Sequence, residues 1–132
     1  MLVNGLFIDF MANRYWLRNI LGGAGLLKKN SYSFSYGVNK TKTTEVTIRD
    51  NIGIIVIFAQ DGNTASTIKV ALYLFAGAWA ENGARYIKLV AEEGEIRTGS
   101  ATGTFSVSYD SNSNIQVSYT YCGGNMMILS YR

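Results

Sequence analysis

From residue 30 onward, apolar and polar positions along the chain alternate with period two. In Ser31-Tyr32-Ser33-Phe34-Ser35-Tyr36 the aromatic side chains take one face and the serines the other, which is how a half-buried strand alternates. Glu45-Val46-Thr47-Ile48-Arg49 repeats the pattern. Residues 53–59 are apolar on both faces, as in a central strand covered on both sides, and Asp61-Gly62 then supplies a turn. The next strand, 68–75, sets Ile68, Val70, Leu72 and Leu74 on one face. Asn82-Gly83 predicts a two-residue hairpin between 72–79 and 85–90. Glu92-Glu93-Gly94 turns the chain into a long stretch, 96–109, where Gly99 and Gly103 mark a bulge or bend. A polar loop at 110–114 leads to an inward row of Ile115, Val117, Tyr119 and Tyr121. Gly123-Gly124 turn again, and 126–131 closes the chain. No long helical pattern separates these elements. The chain is therefore all-β: an antiparallel two-sheet sandwich, jelly-roll-like, with about eight strands.

The first 29 residues break this rhythm. Leu6, Phe10, Leu17 and Leu21 share one face of a helical wheel, but Arg14 falls among them. The spacing predicts a helix over 10–21, with a strand over 5–11 as the alternative. Gly22-Gly23-Ala24-Gly25 is its stop and hinge. The chain thus divides into an attachment or oligomerisation segment, 1–29, and a sandwich domain, 30–132. A segment this apolar needs cover from the domain or from another chain, which makes Phe7, Phe10, Trp16, Leu17 and Ile20 the candidate contact residues.

Composition changes the picture in several places. With 48% hydrophobic and 16% charged residues, the 132-residue chain has the makings of one folded domain. The turns must rely on fourteen Gly with Asn and Asp, because there is no Pro. Seven basic against three acidic residues give +4 over 1–50, and five against six give −1 over 51–132. The longest basic run is only Lys28-Lys29, which argues against a nucleic-acid role. The lone Cys122 rules out an internal disulfide and reads as a buried thiol. The N-terminus lacks the basic region of a signal peptide, and no apolar run reaches the length of a membrane span.

The chemistry is constrained most by the absence of histidine, which excludes the usual Ser-His-Asp, Cys-His and zinc-histidine arrangements. Glu92, Glu93 and Glu95 would be the carboxylates for glycoside hydrolysis, but they crowd one turn where such groups point into water. Asp110, Asn112 and Asn114 have the spacing that opens a calcium loop. Ile115 and Tyr121 then stand where the loop needs Gly and Glu, so a solvated hairpin loop is the favoured reading. Asn39-Lys40-Thr41 reads as a turn. No cofactor is implied, and the expectation is a protein that assembles and binds without being an enzyme.

One stretch carries a resemblance: Val46-Thr47-Ile48-Arg49-Asp50-Asn51-Ile52-Gly53-Ile54-Ile55-Val56-Ile57, where a strand passes through a polar dip and a Gly into a hydrophobic strand. With the final strand running to the end of the chain, 43–132 resembles the trimeric jelly-roll heads that end many bacteriophage fibres, and more distantly the C1q/TNF-like fold. The resemblance implies a homotrimeric virion structural and receptor-binding protein, made in a cytoplasm and destined for the virion or the extracellular space. Residues 1–29 would anchor it to itself or to other virion proteins. Loops 60–65 and 110–114 would lie at one end, offering Asp61, Asn63, Asp110, Asn112 and Asn114 to a cell-surface glycan or protein. A second reading is a monomeric, lectin-like carbohydrate-binding module, for which the Tyr/Ser/Asn texture would supply stacking faces and hydroxyl partners.

Overall fold

The computed structural model describes residues 27–62 and 64–131. Its strands are β1 (Lys28–Gly37), β2 (Lys40–Thr47), β3 (Asn51–Gln60), β4 (Ile68–Gly77), β5 (Arg85–Gly94), β6 (Ile96–Thr98), β7 (Ala101–Tyr109), β8 (Asn114–Thr120) and β9 (Cys122–Tyr131). They form two antiparallel sheets, ordered β1-β9-β3-β4-β5 and β2-β8-β7-β6. The sandwich predicted from period-two patterning is present, with nine strands among the described residues. β1 and β2, the first two described strands, pair with β9 and β8, the last two.

The alternating rows Val46/Ile48 and Ile115/Val117 face the core, whereas the apolar row Ile68, Val70, Leu72 and Leu74 of β4 lies on the outer face of its sheet and leaves Ala71, Tyr73 and Phe75 inside. Ile55 and Ile57 of β3, Phe75 of β4, and Met126 and Ile128 of β9 meet Ile115 and Val117 of β8 and Ile96 of β6. Each such side chain contributes roughly 1.5–3 kcal/mol by leaving water. Phe34 and Tyr119 bridge the layers with ring centroids 4.5 Å apart. Cys122 is fully buried with its thiol against the Thr104 carbonyl, and burial raises its pKa.

The turns were harder to read. The predicted bend at Gly99 is a hairpin turn that splits 96–109 into β6 and β7; Gly99 has φ +60, which favours glycine. Gly123-Gly124 do not turn but lie inside β9, where a Cβ on Gly124 would collide with the Phe58 carbonyl of β3. The reversal falls instead on Tyr121, at φ +55. Asn82-Gly83 does not make a two-residue hairpin, because β4 ends at Gly77 and β5 begins at Arg85. Gly83 donates to the Ala80 carbonyl and closes a turn inside a longer loop. Residues 53–59 are covered on one side: Ile55 and Ile57 are wholly buried, whereas the intervening Val56 is 38% exposed.

Candidate functional site

Strand direction sorts the loops into two groups. At one end of the sandwich lie the β2–β3 corner (48–50), the β4–β5 loop (78–84) and the β7–β8 loop (110–113). They are tied together by Ile48 N–H donating to the Ser113 carbonyl and Asp50 N–H donating to the Ala78 carbonyl. At the other end lies the β3–β4 loop, 61–67. The two candidate binding loops expected to be presented together are therefore at opposite ends, since β3 carries the chain across the sandwich between them.

The 78–84 loop is pinned by two arginines. The Arg85 guanidinium donates to the carbonyls of Gly83 at 2.8 Å, Glu81 at 2.9 Å and Ala80 at 3.2 Å, and its Nε donates to Ser113 Oγ at 3.2 Å. Arg49 Nε donates to the Trp79 carbonyl at 2.9 Å. A planar fork of donors suits this task, because loop carbonyls lack strand partners and each needs a donor. The loop presents Trp79, which is 76% exposed. A tryptophan held out in water on a fixed backbone offers a large stacking surface at little cost in ordering.

Asp110 and Asn114 border the same end. Asp110 Oδ1 accepts the N–H groups of Asn112 at 2.9 Å and Asn114 at 2.8 Å, so this oxygen shapes its own turn. Asp61, at the opposite end, is more tightly used. Its carboxylate accepts the N–H groups of Thr64, Ala65 and Thr67 and the hydroxyls of Thr64 and Thr67, all at 2.9–3.1 Å. The Thr67 and Thr64 N–H groups hold its pKa well below the carboxylate range. It is a buried organiser of its loop rather than a group facing outward.

Beside that loop a cleft of about 480 Å³ is lined by Ser33, Tyr36, Phe58, Gln60 and Asn125. A register shift between Phe34 and Gly37 turns Tyr36 outward over Gly62, so the aromatic row predicted for 32–36 does not stay on one face. Of the carboxylates considered for hydrolysis, Glu92 pairs with Lys69 at 3.4 Å and Glu95 with Arg97 at 2.7 Å; Glu93, next along β5 from Glu92, takes the other face. Phe7, Phe10, Trp16, Leu17 and Ile20, the helix over 10–21 and Asn63 lie outside the described residues.

Trp79 itself escaped sequence reasoning, because it stands in an apolar run that reads as strand. The available signal was its place between Gly77 and Gly83, followed by Arg85.

No protein-family model matches the chain, and no curated protein matches it. Among solved structures it is similar to the tailspike protein of the Acinetobacter phage vB_ApiP_P1, at 19% identity and a TM-score of 0.43 over 80% of this chain and 21% of that one. It is also similar to the tailspike protein of the Acinetobacter baumannii bacteriophage Fri1, a capsular polysaccharide depolymerase, at 8% identity and a TM-score of 0.50 over 80% of this chain and 17% of that one. The chain thus spans about a fifth of the length of either tailspike. The likeness to the Fri1 protein is one of fold, and it corrects the expectation that the chain stands apart from enzymes: a solved protein that includes this fold is a depolymerase.

Proposed function

We propose that the chain is a module of a phage adsorption apparatus that binds a host surface polysaccharide, with Trp79 as the principal contact. The observation that carries the reading is the 76% exposure of Trp79 on a loop pinned by Arg49 and Arg85. An indole face stacks on the apolar side of a sugar ring, while the polar groups of the neighbouring turns, Asp110 and Asn112 among them, take hydroxyls. The fold shared with the Fri1 tailspike supports a virion setting, and capsular polysaccharide is the ligand class to try first. In that setting the module is a homotrimer attached through residues 1–29 to other virion proteins. The second candidate surface, the Tyr36 cleft, offers a smaller aromatic face and two amides.

The test is titration of the full chain with purified Acinetobacter capsular polysaccharides, followed by intrinsic fluorescence. Binding that shifts the emission, and weakens at least tenfold in Trp79→Ala, is the expected result. Unchanged affinity in Trp79→Ala would move the site elsewhere, and no binding across a broad polysaccharide panel would overturn the reading. Reducing-end release in the same samples shows whether the bound polymer is also cut.

A further inference from the structure

The outer faces of the two sheets differ in kind. On the four-stranded sheet the outward residues form a polar ladder. Thr41 and Ser118 hydroxyls stand 3.4 Å apart, and the Thr43 hydroxyl donates to Gln116 Oε1 at 3.3 Å. Gln116 Nε2 in turn donates to Ser108 Oγ at 3.2 Å. On the five-stranded sheet the register puts Ile54 beside Leu129 and Leu74, and Val56 beside Met127 and Leu72. These rows cross the three central strands without a polar side chain. Val56 and Leu74 are 38% and 46% exposed, and among the described residues no second layer covers them. Charge is confined to the flanking strands, with Lys29 on β1 and Lys88 and Glu93 on β5. An apolar centre within a charged rim is the anatomy of a protein interface.

We infer that this face packs against a second copy of the chain. Five strands about 4.8 Å apart and about 30 Å long give a footprint of about 700 Å². That matches the roughly 800 Å² each partner contributes to a stable interface. Trp79, in the 78–84 loop, lies outside these rows, so self-association and polysaccharide binding use different surfaces.

Light scattering behind a sizing column tests this on the full chain, whose monomer mass is 14.5 kDa. The wild type is expected at a multiple of that mass. Val56→Lys and Leu74→Lys are expected near the monomer mass with an unchanged far-ultraviolet circular dichroism spectrum, while Ser106→Lys on the polar sheet keeps the assembly. Should the lysine variants misfold, Val56→Thr preserves the β-branched shape and is expected to raise the dissociation constant at least tenfold. A monomeric wild type at all concentrations would overturn the inference, and so would folded Val56→Lys or Leu74→Lys at the wild-type mass. Polysaccharide affinity per chain is unchanged in Leu74→Lys, so the two readings fail separately.

Discussion

The two sheets share one core, yet their outer faces were built for different surroundings. β2, β7 and β8 place Thr43, Ser108 and Gln116 outward, where their side chains bond to each other and remain open to water. β3 and β4 place Val56 and Leu74 outward at the same kind of position. The sheet geometry is the same in both, so the difference lies in what each face meets. β1 sharpens the point: it belongs to the apolar sheet but forms its rim, and there the Ser31/Ser33 alternation returns. Period two reports the number of dry faces, strand by strand. Where it is lost without a covering layer in the domain, a partner is indicated.

Neighbouring residues of β3 put the largest effect on this comparison. Ile57→Ala, on the inner face, is expected to cost about 2–5 kcal/mol in urea unfolding. Val56→Ala, on the outer face, is expected to cost less than about 1 kcal/mol when the chains are dilute enough to be separate. Equal losses would mean that the outer face is already covered within one chain. Next in size, Arg85→Ala removes the donors that hold the 78–84 loop and is expected to cost about 2 kcal/mol. Faster amide exchange confined to 78–84 checks it.

A subtler effect belongs to acid. The Asp61 carboxyl is held below its ordinary value in the fold, so its contribution is present above the unfolded carboxyl's pKa of about 3.9 and is lost as pH falls through the depressed folded value. Asp61→Asn is expected to flatten the decline in stability below about pH 4, as read by thermal unfolding at stepped pH.

The smallest expected change is Tyr32→Phe. The Tyr32 hydroxyl is buried without a hydrogen-bond partner among the described residues, and burial, followed by Glu45, pushes its pKa up to about 12. The unfolded chain therefore loses this proton first, and stability falls as pH rises above about 10. Phe at this position removes that alkaline loss and leaves neutral stability within about 0.5 kcal/mol or slightly higher. A clear destabilisation would show that the hydroxyl is bonded after all.

Much of the fold was legible because burial imposes a period on a strand. Phe34, Val46, Ile48, Ile115 and Val117 all face the core as their alternation required. The turns were less legible, because Gly answers to more than one demand: Gly99 serves a positive φ, while Gly124 serves the close approach of β3 and β9. The candidate site was the least legible. Asp61 carries binding chemistry in sequence, but its loop spends both carboxylate oxygens internally, whereas Asp110 spends only Oδ1 on its own turn. Trp79 looked like strand, and its exposure depends on β4 ending at Gly77, where a Cβ would collide with the Ile48 carbonyl of the neighbouring corner.

By itself, then, the sequence determined an all-β sandwich, the inward rows Val46/Ile48 and Ile115/Val117, and a buried thiol at Cys122, because these follow from which side chains leave water. Only the tertiary structure decided which loops share an end, which aromatics stay outside, and that one sheet has an apolar outer face with no second layer over it among the described residues. Those depend on contacts between residues far apart in the chain, such as Arg85 with Ser113 and Ile54 with Leu129, which no local pattern records.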